Sequence, residues 1–374
     1  MKKKFNKPLK VILITLGVIV LLAASYVIYV FASYDRLPDN IEIKIQKTTG
    51  EPDSKVAGDA SIPVPVDEEF LITSYNVGFG AYSDDYTFFM DGGKESWARS
   101  AEAATSNINN AALVITGKTP DIALFQEVDF DSTRAYHIDE RELIATAMGK
   151  INQYAYTFAQ NYDSPFLMYP LTQPHGANKS GLMTFSSFGM QSALRRSLPI
   201  ETGLSKVLDL DRCYCKNRIK ANGGKELVVY NVHLSAYTSD PMTAQTQLQM
   251  LLEDMRGEYK AGNYCIAGGD FNSDLLGDSP SIFHTESVSD NWAKPINMEL
   301  FGEGAVLVAP FGENTKTGSA RNNDVPYKVG NFVVLVDGFI VTDNIKVTET
   351  DVIDTGFKFS DHNPVYAKFK LISQ

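Results

Sequence analysis

The chain has 374 residues, 44% of them hydrophobic, enough for one large domain with a full core. Five of the 34 Lys and Arg lie in the first ten residues, so the other 29 face 45 Asp and Glu, a net charge of −16. That balance excludes a broad basic face gripping long nucleic acid, though not a nuclease working through a bound cation and a local basic rim.

In chain order, Met1 to Lys10 holds the five lysines and no acid, and Val11 to Ala32 is 22 residues without a charge. As a helix at about 1.5 Å per residue, that run spans about 33 Å against a hydrocarbon core of about 30 Å. A secretory signal is the competing reading, with Val30-Phe-Ala32 as a cleavage site, but its apolar region is only about 7–15 residues long. The pattern predicts a cytoplasmic basic tail over 1–10, an uncleaved transmembrane signal anchor over 11–32, and the rest outside a cell membrane. Residues 33–66 read as an extracellular stalk, flexible from Thr48 to Ser61. Within it, the alternation Ile41-Glu-Ile-Lys-Ile45 predicts an edge strand leaning on the main domain.

The main domain, 67–374, opens with a strand over Phe70 to Val77. A polar and aromatic loop follows, Gly78 to Trp97, long enough to bind substrate. Its Gly92-Gly-Lys-Glu-Ser96 lacks phosphate-loop spacing, which excludes a nucleotide-binding reading. Ala98 to Gly117 predicts a helix, Asp121 to Val128 a strand, and the region near Asp139 to Met148 a second helix. Tyr154 to Gln160 and Gly181 to Ser186 read as strands around a loop, Asn161 to Ser180. Arg212 to Ala221 and Glu226 to Leu234 flank Asn222-Gly-Gly224, a hairpin signal. Asp240 and Pro241 cap a helix whose stripe, Leu248, Leu252, Met255 and Tyr259, faces the core. An irregular region to Lys328 precedes a strand ending at Asp337, a hairpin and a last strand, Val365 to Leu371. Cys213, Cys215 and Cys265 read as small apolar strand residues, with no zinc site.

Chemistry concentrates at strand ends. Tyr264 to Ala267 predicts a buried strand that stops at Gly268-Gly269 and then presents Asp270 and Asn272. The glycines permit close approaches that a side chain forbids, and a carboxylate beside an amide forms a hydrolytic pair. Asn76, Glu127, His233 and Asp337 each follow an apolar strand, and Ser360-Asp-His-Asn-Pro364 opens the last one. The ordered set Tyr75-Asn76, Gln126-Glu127, Asn231-Val-His-Leu234, Gly268-Gly-Asp-Phe-Asn272, Val336-Asp-Gly-Phe-Ile340 and Ser360–Pro364 resembles the endonuclease/exonuclease/phosphatase superfamily. It matches no one subfamily.

The resemblance implies an α+β, four-layer sandwich of two packed, mostly antiparallel β-sheets flanked by helices, here preceded by one transmembrane helix. It implies phosphoester hydrolysis with Mg²⁺, or Mn²⁺, on Glu127, with Asn76 and Asp361 completing the metal and water shell. Asp270 would activate water and Asn272 fix its geometry. Asp337 would hold His362 charged against a phosphate oxygen, and His233 would serve the leaving group. Arg321 and Lys328 are candidate anion clamps; His137, His175 and His284 receive no role. The substrate would be nucleic acid, a lipid head group or a small phosphate ester. The competing class is a catalytically weak, membrane-tethered binding or scaffold domain retaining the fold; no protein partner is inferred.

Overall fold

The computed structural model describes residues 7–34, 36–48, 62–200, 211–236, 242–288 and 292–373. The first six residues, most of the stretch read as flexible, and the Asp240–Pro241 cap lie outside them. The chain begins with α1 (Lys7–Ala32), β1 (Ile41–Glu42), β2 (Gln46–Lys47), β3 (Glu69–Asn76), α2 (Ala101–Thr116) and β4 (Ile122–Asp129). It continues through α3 (Glu140–Ile151), β5 (Ala155–Leu167), β6 (Gly176–Ser186), β7 (Met190–Ser197), β8 (Cys213–Lys220) and β9 (Glu226–His233). Then come α4 (Met242–Lys260), β10 (Tyr264–Asp270), α5 (Ser279–Phe283), β11 (Val306–Val308), β12 (Ala320–Arg321) and β13 (Val333–Val334). The last three strands are β14 (Asp337–Val341), β15 (Ile345–Val352) and β16 (Val365–Leu371).

Two seven-stranded sheets form, in the orders β1-β7-β8-β9-β10-β14-β11 and β15-β16-β3-β4-β6-β5-β2. Among the described residues, only β9–β10 and β3–β4 pair parallel within them. Strand periodicity of two explains the layering. Phe70 and Ile72 of β3, Leu124 of β4, Val229 of β9 and Ile266 of β10 all enter one core between the sheets. Their alternating neighbours face outward. Val228, Tyr230 and Cys265 pack under Leu248, Leu251, Leu252 and Met255 of α4, while Tyr75, Ala123 and Phe125 pack under α2 and α3 through Ile108, Ile115, Ile144 and Met148. The result is the expected four-layer α+β sandwich. On α4, Leu251 replaces Tyr259 in the buried set.

Several predicted boundaries move. Asn161 to Ser180 is mostly not a loop: β5 and β6 continue through it as a long hairpin with register shifts near Gln160 and Ser164. The strand does not stop at the two glycines but runs on to Asp270. A Cβ at Gly268 would lie 2.7 Å from Leu124 Cδ1, and one at Gly269, where φ is +142°, would lie 2.0 Å from the Val232 carbonyl oxygen. Asp337 opens its strand instead of ending one, because β14 runs antiparallel to β10. Residues 36–48 are more than a spacer: β1 extends one sheet beside β7, and β2 extends the other beside β5. All three cysteines are free and buried. α1 is long and apolar enough to cross a membrane.

Candidate active site

The alternation that builds the core also delivers the site. Counting by twos from the core residues, Ile72 leads to Ser74 and Asn76, Leu124 to Gln126, Val229 to Asn231 and His233, and Ile266 to Gly268 and Asp270. The inner face thus changes from apolar to polar toward one end of both sheets. Immediately above the hydrocarbon, amides and hydroxyls join the sheets. Gln126 Nε2 donates to Asn231 Oδ1 (2.9 Å) and Ser74 Oγ (3.1 Å), and Asn231 Nδ2 to the Met183 carbonyl (2.8 Å). Thr157 Oγ1 donates to Asn217 Oδ1 (2.8 Å). Buried polar groups demand such pairing.

Beyond this belt lie the acids and imidazoles. Sheet register sets Asp270 directly beside His233 on one flank and Asp337 on the other. Asp270 Oδ2 is their meeting point, 3.1 Å from Asn76 Nδ2, 3.5 Å from His233 Nε2 and 3.8 Å from His362 Nε2. Its other oxygen accepts the Asn272 backbone N–H at 2.8 Å. Asn272 itself turns aside at φ +49° and donates its side-chain amide to the Leu234 carbonyl at 2.8 Å. His362 Nδ1 bonds Asp337 Oδ2 at 2.7 Å, and Ser319 Oγ accepts the Asp337 N–H at 2.9 Å.

Glu127 breaks the alternation. By count it belongs with outward-facing Ala123 and Phe125. A bulge between Phe125 and Val128, with Glu127 at φ +53°, brings it to the site instead. Its carboxylate accepts Asn76 Nδ2 at 3.2 Å and lies 4.0 Å from His233 Nε2. A strained non-glycine residue at such a point costs on the order of 1–3 kcal/mol and is characteristic of functional sites.

Burial and neighbouring charges set the protonation states. Burial, then the adjacent Asp337 charge, pushes the Asp270 carboxyl up to about 7. Burial likewise raises Glu127, against the lowering pull of Arg134. Burial alone would lower His362, but Asp337, then Asp270 and Asp361, hold it well above the usual imidazole range. His233 has no such bonded carboxylate, and burial keeps it well below that range. One imidazole is therefore cationic and the other neutral.

These groups open into a cavity of about 240 Å³. Asp361 lines it, with Oδ2 accepting Asn323 Nδ2 at 2.7 Å. So does Arg321, buried, whose Nη2 donates to the Ser83 carbonyl and whose Nε has no partner. The predicted companion Lys328 is exposed and is not among the lining residues. Asn76 sits among the carboxylates: its Oδ1 accepts the Gly78 N–H at 3.0 Å, and its NH₂ lies 3.2 Å from Glu127 Oε1 and 3.1 Å from Asp270 Oδ2.

Arg134, not anticipated from sequence, also lines the cavity, paired bidentately with Asp129 at 2.8 Å and stacked 3.8 Å over the Phe79 ring. His175, to which no role was assigned from sequence, lines the cavity too, and burial drives it down to about 3. Neither residue carries a local motif; only the β5–β6 hairpin and the turn after β4 bring them in. The loop from Gly78 to Trp97 contributes Tyr82, Phe88, Met90 and Asp91 to the wall.

The sequence profile of the Endonuclease/Exonuclease/phosphatase family matches residues 73–362, from before Asn76 to His362. The chain belongs to that family. Its members are phosphoester hydrolases, and this chain is an enzyme of that class. Among solved structures, a family protein from Leptotrichia buccalis C-1013-b is 16% identical, with TM-score 0.53, over 81% of this chain and 100% of its own. The endonuclease/exonuclease/phosphatase from Beutenbergia cavernae DSM 12333 is 15% identical, with TM-score 0.52, over 82% and 72%. ANGEL2, a 2',3'-cyclic phosphatase, in complex with adenosine-2',3'-vanadate, is 16% identical, with TM-score 0.51, over 81% and 96%. These likenesses concern the fold. No curated protein sequence matches the chain.

Proposed function

We propose that the chain is a divalent-cation-dependent phosphoester hydrolase, tethered by α1 with its catalytic domain, residues 67–374, outside a cell membrane. One observation carries the reading: both sheets, from Glu127 to His362, deliver Glu127, Asp270, His233 and the Asp337-bonded His362 to one cavity. The acid-rich set fits a cation. Glu127 is half-buried, lines the cavity and accepts the Asn76 bond, and Asp361 faces the same cavity. Hard carboxylate oxygens suit Mg²⁺, with Mn²⁺ able to replace it. Asp270, Asp337 and His362 also place donor atoms within 4.8 Å of one another, but the 2.7 Å bond inside that trio suits an oriented acid–imidazole pair better than a ligand set.

Glu127 and Asp361 would hold the cation, which supplies Lewis-acid polarisation of the phosphoryl group. Asp270 takes the proton of the attacking water, its carboxyl tuned toward neutrality by burial and Asp337. Asn272 fixes the turn that carries Asp270 by donating its backbone N–H. Cationic His362 donates to a non-bridging phosphate oxygen, and charge building in the transition state strengthens that bond. His233, neutral, hydrogen-bonds on the leaving-group side. Arg134 and Arg321 add positive potential where the anion enters. The deciding experiment is turnover of bis(p-nitrophenyl) phosphate and p-nitrophenyl phosphate by the full chain after EDTA treatment. Activity should vanish and return with Mg²⁺ or Mn²⁺; full activity in metal-free protein refutes the reading.

A further inference from the structure

The turn joining β5 to β6 is unusually greasy for a solvent-facing hairpin. From Ser164 to Ala177 it contains no Asp, Glu, Lys or Arg. Phe166, Met168, Tyr169 and Leu171 are 40, 46, 71 and 80% exposed. Single exposed apolar side chains are ordinary, but a contiguous uncharged group marks a docking surface. The tip is not loose: Ser96 N and Oγ donate to Gln173, and Trp97 Nε1 donates to the Pro174 carbonyl at 2.6 Å.

Two further contacts say what covers it. The tip touches the last turns of α1. Tyr26 Oη donates to the Phe166 carbonyl (3.3 Å) and accepts the Met168 N–H (2.9 Å), while Tyr29 Oη accepts the Phe166 N–H (3.2 Å). Tyrosines near the end of a spanning helix sit at the headgroup level. Groups bonded to them lie at the same depth. The tip also borders the cavity: Tyr169 packs on Phe89 with centroids 5.8 Å apart, and Phe89 packs on His175, a lining residue, at 5.9 Å. Met90, 49% exposed, joins the same rim.

We infer that the β5–β6 tip inserts into the interface of the bilayer that α1 spans, so that the cavity mouth faces the headgroups and the substrate is a phosphoester carried on that membrane. The choice of substrate rests on the proposed hydrolase reading; the docking does not. Apolar side chains at the headgroup boundary bind by burying their area there, and uncharged flanks avoid the cost of desolvating ions. The acidic domain then stays near an anionic surface by apolar contact and tether, not by charge.

The test uses the full chain in phosphatidylcholine vesicles whose acyl chains carry bromine, a short-range quencher of tryptophan. Leu171→Trp should be quenched beyond the background of the unsubstituted chain. Asn222→Trp, in the turn before β9 at the far end of the sheet from His233, should not. Equal quenching at the two positions, or none at 171, overturns the docking; a dimer in place of quenching assigns the patch to a second copy and also overturns it.

Substrate is tested with phosphoinositide and sphingomyelin in vesicles against their short-chain, water-soluble analogues, with bis(p-nitrophenyl) phosphate as the reference. Leu171→Asp should cut vesicle turnover about tenfold or more, the partition change for one large aliphatic side chain, and leave bis(p-nitrophenyl) phosphate unchanged. Soluble analogues cleaved as fast as vesicle lipids, or lipids refused while the reference ester is cleaved, overturn the membrane substrate. Quenching at 171 without hydrolysis of any ester leaves the docking standing and overturns the hydrolase reading together with the substrate.

Discussion

Asp337→Asn isolates the work of one charge. Asp337 is buried, with Oδ2 2.7 Å from His362 Nδ1 and Oδ1 without a partner. A hydrogen bond to a charged group contributes about 1.5–3 kcal/mol, and 1.36 kcal/mol corresponds to one pKa unit. Neutralising Asp337 should therefore lower the His362 pKa, and burial then favours the neutral ring. A cationic donor to the transition state is lost, which costs about 10²–10³ in kcat. The change also removes the Asp337 charge that pushes the Asp270 carboxyl upward, which outweighs loss of the smaller downward pull of cationic His362, so the acid limb of the pH–rate profile should move slightly to lower pH while the plateau falls. The assay is kcat with bis(p-nitrophenyl) phosphate from pH 5 to 9, with melting temperatures. His362→Ala should cost a similar factor, and the double variant should be little worse than His362→Ala alone, because the two residues act as a unit. Additive losses at unchanged melting temperature would refute the pairing. So would a wild-type rate from Asp337→Asn.

Asp270→Asn should reduce kcat at least a hundredfold with the fold intact, as loss of a general base does; stopped assays and circular dichroism check both halves. Glu127→Gln should raise the Mg²⁺ concentration for half-maximal rate more than it lowers the melting temperature. Gly269→Ala forces a methyl to 2.0 Å from the Val232 carbonyl and should destabilise by about 3 kcal/mol or prevent folding. Gly277→Ala, at φ +83° with nothing within 4 Å, should cost only the left-handed backbone penalty, about 1–2 kcal/mol by urea titration. His175 is neutral in the fold, held down to about 3 by burial. The unfolded chain binds the extra proton between about 3 and 6.5, so stability falls as pH drops through that window. From pH 6.5 to 5 the loss is about 2 kcal/mol, and His175→Gln should abolish that portion in urea melts at the two pH values.

The strand ends carrying Asn76, His233, Asp270 and His362 are legible in the sequence because apolar runs of period two terminate in polar residues of one chemical kind. Two-sided burial makes those runs conspicuous, and the motif order supplies the rest. Glu127 is legible as an acid but not as a bulge: nothing local says that alternation fails there, since the distortion is stabilised by Asn76 and the cavity. The direction of β14 escapes for a similar reason. Asp337 sits between two apolar runs, and only pairing with β10 decides which one becomes the strand. Arg134 and His175 depend on the long hairpin, whose Pro, Gly and Asn content reads as loop. Lys328 is a charge near a motif that the fold leaves exposed to solvent, which local sequence does not reveal.

The amide and hydroxyl belt between the sheets has a consequence for how the site can vary. Hydrocarbon faces set their alignment by shape alone, and cores of leucine and valine lose uniqueness of packing before they lose stability. Gln126 and Asn231 set it more sharply, because their donors and acceptors are directional and lie in a dry place. They index one half of the molecule against the other. Glu127 and Asn76 ride on one sheet, His233 and Asp270 on the other, so every distance across the cavity is measured from that index. Loops at the rim can lengthen or change without disturbing it, and the two halves of the chemistry stay aligned.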